Sequence, residues 1–235
     1  MKHLTWMVWC IVLLGLQAGQ GQVKFGVDLY SRYIWRGLDY GNSPSLQPGL
    51  SYTVGGFTAG TWGAYSTGSS FIDSAGTATV FAEHDLYASY VLTTSAGNFS
   101  LIYTDYYYPS SGLPFFDFAA NGGSHVLEAG AGYSGPEQLP VTVSFYYNFH
   151  NDPDNSVYAQ IGYPFTTESG TVLLSAAFTP GKSVWYGTTK GDLISASVTF
   201  TRTLKVTDSF TLPLTVSYQI NPHAERSYLI VGVSL

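Results

Sequence analysis

Residues Val23 to Gly37 read VKFGVDLYSRYIWRG, and this stretch decides the fold. Successive side chains of a β-strand point to opposite faces, so the stretch divides by parity. The odd positions, apart from Ser31, are the apolar or aromatic residues Val23, Phe25, Val27, Leu29, Tyr33 and Trp35. The even positions include the charged residues Lys24, Asp28, Arg32 and Arg36. An apolar face with an aromatic residue near each end is typical of a lipid-facing barrel strand.

The composition favours the same class of protein. Charged residues make up 10% of the 235 residues, against about 25% in soluble domains. Aromatic residues reach 16%, with 19 Tyr. This balance suits a barrel that meets lipid outside and water inside, although a secreted soluble β-sandwich is the alternative. The formal net charge of -6 argues against a nucleic-acid partner, which would require a basic face.

The N-terminus has the pattern of a secretory signal. A short basic segment, Met1 to His3, precedes an apolar run from Leu4 to Leu16 that is too short for a transmembrane helix. Small residues follow, and we place cleavage after Gly21, with Ala18 as the alternative. The sequence therefore predicts a signal peptide at residues 1–21 and a barrel domain at residues 22–235. Cys10 falls inside the signal, so no disulfide is expected.

Twelve strand-like segments follow one another, and the links between them alternate in length. The predicted strands are 23–36, 46–54, 56–65, 78–93, 97–107, 124–134, 139–150, 155–165, 169–179, 191–203, 208–220 and 226–235. The long links, 66–77, 108–123 and 180–190, all follow odd-numbered strands. Outer-membrane barrels have short periplasmic turns and long outer loops. The sequence thus predicts an all-β, closed antiparallel transmembrane barrel of about twelve strands with both termini in the periplasm.

Two segments fit this pattern poorly. Pro213 lies inside the eleventh predicted strand, where a missing N–H donor calls for a bulge or for a strand that begins later. Asp105 shares a face with Phe99, Leu101 and Tyr103. Either it lies above the bilayer or a bulge reverses the parity of that strand.

The segments SRYIWRG (31–37) and SPSLQPGLSYTVGGFTAGTWGAYS (43–66) resemble the Gcw-chp-type family of proposed outer-membrane porins. The shared pattern is an aromatic-Arg-Gly strand end, a short polar loop and a strand that opens near a Gln, over roughly residues 26–65. The resemblance implies a β-barrel, an outer-membrane location and a channel role. The C-terminal strand also resembles the assembly signal of outer-membrane barrels, although Leu235 stands where that signal usually has Phe.

Two groups of residues are candidates for function. The first comprises charges expected to face the lumen, which either select solutes or form a salt-bridged network that stiffens the wall: Lys24, Asp28, Arg32, Arg36, Glu83, Asp85 and Glu128. The second comprises aromatic residues of the long loops, which either constrict the mouth or pack against the barrel rim: Phe115, Phe116, Phe118, Trp185 and Tyr186.

These patterns lead us to expect a porin-like channel for small polar solutes or ions in the outer membrane of a Gram-negative bacterium. The alternative is a non-conducting structural or surface-binding barrel. A lipase-like enzyme is a distant third, since none of His84, His125, His150 and His223 stands two residues before a Ser. No enzyme activity, metal or cofactor is predicted. The expected partners are outer-membrane lipid and lipopolysaccharide, the barrel-assembly machinery through the C-terminal strand, and small polar solutes.

Deletion of residues 229–235 should prevent membrane insertion, because it removes the last strand together with the assembly signal. The measurement is the fraction of protein recovered in outer-membrane preparations with heat-modifiable gel migration. Insertion of the truncated chain at the level of the full chain would contradict the assignment of the last strand.

Overall fold

The fold is known from a computed structural model that describes residues 21–72 and 77–235, without the side chains of residues 69–72. The predicted signal peptide lies outside these residues, apart from Gly21. The strands are β1 (Gln22–Tyr30), β2 (Ile34–Trp35), β3 (Leu38–Asp39), β4 (Ser45–Val54), β5 (Phe57–Ile72), β6 (Ala78–Thr94), β7 (Gly97–Tyr107), β8 (His125–Ser134), β9 (Thr142–His150), β10 (Val157–Thr167), β11 (Gly170–Thr179), β12 (Asp192–Lys205), β13 (Thr211–Asn221) and β14 (Arg226–Ser234). None of the described residues belongs to a helix long and apolar enough to cross a membrane.

Twelve of these strands form a closed antiparallel barrel, as predicted. Each barrel strand pairs with its neighbours in the chain, and the barrel closes where β1 pairs with β14. At the closure Asp28 is opposite Ser234, Leu29 is opposite Val233 and Tyr30 is opposite Gly232. The two remaining strands, β2 and β3, pair only with each other.

The exterior of the barrel is apolar, and the lumen is lined mainly by polar and aromatic side chains. Phe25 on β1 is 70% exposed and Leu229 on β14 is 66% exposed, both on the outer face. On β6 the outer residues Leu86, Tyr90 and Leu92 alternate with inward-facing Phe81, Glu83 and Asp85. Alternation of this kind is what a strand with one apolar and one polar environment requires.

The first strand is shorter than the predicted 23–36, and this is the main correction to the sequence analysis. β1 ends at Tyr30, and the N–H of Ser31 still donates to the carbonyl of Val231 on β14. The chain then turns inward and forms the small β2–β3 hairpin. Trp35, expected on the outer face, therefore lies inside, and Arg36 reaches the lumen from a hairpin instead of a barrel strand.

Other segments also differ from the predictions. β5 continues to Ile72, beyond the predicted end of this strand at residue 65. β13 begins at Thr211, ahead of Pro213, and its pairing with β12 shows no bulge. The pairing of β13 with β14 starts only at Leu214, so no neighbouring strand on that side requires a donor from Pro213.

The two ends of the lumen differ. At the end where β1 begins and β14 ends, the inward-facing Thr93, Ser134, Thr201 and Thr203 are exposed. At the opposite end, where the long links lie, the inward-facing Glu83, Asn148 and Asn221 are at most 2% exposed. We call these the terminal end and the loop end. The lumen is thus open at the terminal end and closed at the loop end.

Candidate functional site

The structure that closes the loop end is the β2–β3 hairpin, which folds back into the lumen. Its tip is a two-residue turn formed by Arg36 and Gly37, with φ angles of 51° and 84°. Positive φ at both central positions defines a type I′ turn, whose twist matches the paired strands that flank it. Trp35 and Leu38 form the pair next to the turn. A non-glycine residue rarely adopts this conformation, so the surroundings of Arg36 must hold it there.

The side chain of Arg36 is held by a carboxylate on the opposite wall. Its Nη1 donates to Oε2 of Glu128 at 2.6 Å, and its Nη2 donates to Oε1 at 2.9 Å. The side chains of the two residues are 9% and 3% exposed. Tyr106 donates to the same carboxylate at 2.8 Å, and Arg36 also donates to the hydroxyl oxygen of Tyr186 at 2.8 Å. The two parallel hydrogen bonds between the planar guanidinium of Arg36 and the carboxylate of Glu128 allow strong pairing where water is excluded.

Three aromatic rings surround the same guanidinium. Its Cζ lies 4.4 Å from the ring centre of Trp35, 4.4 Å from that of Tyr146 and 4.5 Å from that of Tyr158. Burial alone lowers the pKa of Arg36, but Tyr186 and Glu128 outweigh this effect and the pKa lies well above its ordinary value. Arginine stays protonated in proteins, so the buried guanidinium carries a positive charge that its partners must balance.

The turn also contacts the wall on the other side of the lumen. The carbonyl of Gly37 accepts a 3.1 Å hydrogen bond from Nδ2 of Asn221 on β13. A Cβ at Gly37 would collide with the carbonyl oxygen of Ile194. Ile194 sits in a register shift between β11 and β12 and is fully buried against Tyr186. The hairpin tip thus bridges the lumen from β8 to β12 and β13.

Above the tip, an aromatic cluster fills the remaining space at the loop end. Tyr33 packs against Trp62 with ring centres 5.4 Å apart, and Tyr40 packs against Phe81 at 5.2 Å. The N–H of Tyr40 donates to the carbonyl of Tyr33 at 2.9 Å, which closes the base of the hairpin. The carboxylate of Glu83 is buried beneath this cluster, near the side chains of Tyr33 and Tyr108.

The link between β11 and β12 covers the hairpin from the outside. Tyr186 enters the lumen and is 2% exposed, and Trp185 packs against Trp35 with ring centres 6.2 Å apart. Asp154 holds this link in place, accepting from Lys182 and from the N–H of Val184, both at 2.8 Å. Both aromatic residues of this loop therefore close the mouth.

Below the hairpin lies a polar cavity of about 650 Å³. Its walls carry the hydroxyl, amide and aromatic groups that suit a polar solute: Thr104, Ser144, Tyr146, Gln160, Ser195 and Gln219. Asp85 also faces it, is 7% exposed, and its Oδ1 has no hydrogen-bond partner among the described residues. A buried carboxylate oxygen in this position is free to bind a donor group of a solute.

The remaining predicted lumen charges lie elsewhere. Lys24 is exposed near the terminal end, and Asp28 is half-buried at the closure of the barrel. Arg32 pairs with Asp39 and donates to Asn42 at the base of the hairpin, with its side chain 37% exposed. The structure therefore brings together Arg36, Glu128, Asp85 and Glu83 from the predicted set and leaves the other three outside the site.

The phenylalanines of the link between β7 and β8 lie on the outer wall, not in the lumen. Phe118 stacks on His125 with ring centres 3.9 Å apart, and Phe115 packs edge-on against the same ring at 5.1 Å. Phe116 is 87% exposed. Nδ1 of His125 lies 2.7 Å from Asp105, which stays on the outer face without any bulge in β7. The sequence left two alternatives for these phenylalanines, constriction of the mouth or packing against the barrel rim. In the structure they pack against the rim.

The sequence analysis did not predict which residues surround the guanidinium of Arg36. Tyr106, Tyr146 and Tyr158 each fall on the inward face of a predicted strand, where alternation alone could have placed them. Asn221 could have been placed in the same way, as the inward residue at the loop end of β13. No local signal indicated that the Arg36–Gly37 pair would turn inward to meet them.

Comparison with known proteins identifies one family. The family model described as "Bacterial protein of unknown function (Gcw_chp)" matches residues 17–178. No curated protein matches the chain.

Replacement of either member of the Arg36–Glu128 pair should release the hairpin. Glu128→Gln leaves a buried guanidinium without its counter-charge, a change that costs about 3–5 kcal/mol. We expect amide hydrogen exchange to accelerate at residues 33–40 while the strands stay protected. Asp208→Asn is the matched control, since Asp208 forms its ion pair with Lys205 in full solvent at the terminal end. Equal exchange in the two variants would show that the pair does not hold the hairpin.

His223 should hold the link between β11 and β12 in place more strongly at low pH than at high pH. His223 donates from Nδ1 to Asp192 at 2.8 Å and from Nε2 to the carbonyl of Gly187 at 3.0 Å, which requires the protonated ring. The bond to Asp192 raises the pKa of His223, so its contribution is present below the unfolded pKa of about 6.5 and is lost as pH rises through the folded pKa.

The measurement is an NMR titration of the His223 ring, for which we expect a pKa above that of an exposed histidine. Asp192→Asn should return the pKa of His223 towards the ordinary value of a histidine. Lys190 lies near Asp192 and is the remaining nearby charge that a second variant can remove. An identical titration in the parent protein and in Asp192→Asn would rule out this fastening.

Proposed function

We propose that this chain, which belongs to the Gcw_chp family of bacterial proteins of unknown function, is an outer-membrane pore for small polar solutes that its own first outer loop keeps closed. The observation that carries the proposal is the Arg36–Glu128 pair at the tip of a hairpin inside the lumen. This pair is the central contact of the closing element, so its loss should favour the open pore.

The apolar exterior supports a membrane location. Large apolar side chains such as Phe25, Leu101, Ile161 and Leu229 are more than half exposed around the barrel. A soluble protein rarely exposes so much contiguous apolar surface. A closed barrel also pairs its strand edges, which hydrocarbon demands of any sheet that crosses it. The terminal end would then face the periplasm, with the long links outside.

The lumen supports passage of polar solutes once the hairpin leaves. Small polar residues line the open terminal end, and the 650 Å³ cavity continues this lining up to the hairpin. The outward route is blocked by Trp35, Arg36 and Tyr186, which belong to two loops and to no barrel strand. Both loops can therefore move without breaking the backbone ladder of the wall.

The barrel without its hairpin should conduct. Because the N–H of Tyr40 bonds to the carbonyl of Tyr33, residues 34–39 can be replaced by Gly-Gly without stretching the loop. In planar bilayers we expect the parent protein to be closed for most of the recording and the shortened protein to show steady conductance steps. Glu128→Gln should lie between them, since a loss of about 3 kcal/mol raises an open population roughly 100-fold.

The same recordings separate the proposal from the alternative of a non-conducting structural barrel. Correctly folded, heat-modifiable protein that lacks residues 34–39 and still gives no conductance steps would refute the pore. Asp208→Asn serves again as the control and should behave like the parent protein.

A further inference from the structure

One carboxylate of the lumen has no partner in the wall. Asp85 on β6 is 7% exposed, and the part of its surface that stays accessible lines the cavity below the hairpin. Its Oδ1 is buried without a hydrogen bond, and no ion pair joins the residue to another described residue. A carboxylate withdrawn from water requires a donor group or an opposite charge. The wall supplies neither, so this position is open to a group that enters through the lumen.

The charged groups around Asp85 do not balance it. The ionisable groups close enough to act on it are Glu83, Asp105 and Glu128, all of which are acids. Among the described residues that line the cavity, Arg36 is the one cation, and its two terminal nitrogens both donate to Glu128. That pair is neutral as a whole, so the ionised form of Asp85 has no counter-charge in the cavity. A positively charged solute would provide it.

Aromatic residues flank Asp85 on both sides. In the register of the sheet its direct neighbours are Trp62 on β5 and Tyr106 on β7, and all three line the cavity. Tyr87 lies two residues further along β6 on the same face. Directly opposed side chains on neighbouring strands are about 5 Å apart at Cβ, so the rings and the carboxylate border one space. A carboxylate between aromatic rings suits an ammonium group, through an ion pair and through cation–π contacts.

The rest of the cavity wall suits hydroxyl groups. The side-chain oxygen of Gln160 accepts from Tyr158 at 2.6 Å, whereas Nε2 of Gln160 donates to no described residue. Thr104 and Ser144 add hydroxyl groups to the same wall. A volume of about 650 Å³ is ordinary for a site that holds a small molecule. The cavity thus combines one anionic position with several positions that form neutral hydrogen bonds.

We propose that this cavity binds a small hydroxylated solute that carries one ammonium group, and that Asp85 is the residue that selects it. The ammonium group donates to Asp85 between Trp62 and Tyr106, and the hydroxyl groups bond to the amide and hydroxyl groups of the wall. The solute class rests on the proposed function as a pore, but binding does not require the pore to open. Because the lumen is open at the terminal end, the solute reaches Asp85 while the hairpin still covers the cavity.

The test measures binding to the folded protein in detergent, with the hairpin in place. The probe is D-glucosamine, and its matched partner is D-glucose, which has a hydroxyl where glucosamine has its ammonium group. By titration calorimetry at neutral pH and low salt we expect saturable binding of glucosamine. Glucose should bind roughly tenfold more weakly, because hydrogen bonds to charged groups are stronger than neutral ones. N-acetylglucosamine, whose amide is uncharged, should behave like glucose, and this comparison requires no variant.

A variant then assigns the selection to one residue. Asp85→Asn keeps the shape of the side chain and removes its charge, so it should weaken glucosamine binding roughly tenfold and leave glucose binding unchanged. Asp28→Asn is the matched control, because Asp28 faces the lumen at the closure of the barrel but does not line the cavity. Heat-modifiable gel migration shows that each variant has folded.

The proposal is overturned if glucosamine shows no saturable binding, since Asp85 would then be a buried carboxylic acid without a ligand. It is also overturned if glucose binds as tightly as glucosamine, or if Asp85→Asn and Asp28→Asn weaken glucosamine binding equally. The conductance of the protein that lacks residues 34–39 is measured separately. Conductance steps without glucosamine binding would contradict the solute class and leave the pore, whereas glucosamine binding without conductance would contradict the pore and leave the binding site.

Discussion

The hairpin that fills the loop end of this barrel is centred on one charge pair, between Arg36 at its tip and Glu128 on the facing wall. The pair sits where water is excluded, so both charges need their full set of partners. Tyr106 and Tyr186 supply the hydrogen bonds, and Trp35, Tyr146 and Tyr158 supply aromatic faces. Because these contacts share one guanidinium, their energies are not additive, and the loss of one member weakens all of them.

The wall of the barrel and the elements that close its lumen are held in place by different kinds of contact. Its wall consists of strands whose backbone groups bond to neighbours, and its exterior presents apolar side chains around the whole circumference. The elements that fill the lumen come instead from the links after β1 and β11. Each enters as a short segment fastened by side-chain contacts, such as Asp154 with Lys182 or Asn221 with Gly37. The elements that close the lumen are thus held by contacts separate from the backbone pairing of the wall.

Much of the fold follows from the sequence because alternation is a local property. The parity of Val23 to Leu29, the inward positions of Glu83, Asp85 and Glu128, and the positions of most turns could all be read from the residues. The end of β1 could not, since apart from Ser31 the odd positions stay apolar or aromatic from Val23 through Trp35. The inward turn at Arg36 is decided by a carboxylate 92 positions later, and no window along the chain contains both.

The length of these separations has a consequence for how the protein assembles. Arg36 meets Glu128 and Tyr186 across 92 and 150 positions, and Gly37 meets Asn221 across 184. Contacts between residues so far apart in the sequence form late, because the entropy cost of closing the long intervening loops must first be overcome. The hairpin is therefore among the first parts to be synthesised and among the last to find its place. Until β8, β12 and β13 have joined the sheet, the charged and aromatic side chains of the hairpin lack their partners. The lumen of the assembling barrel is therefore not yet closed by the hairpin.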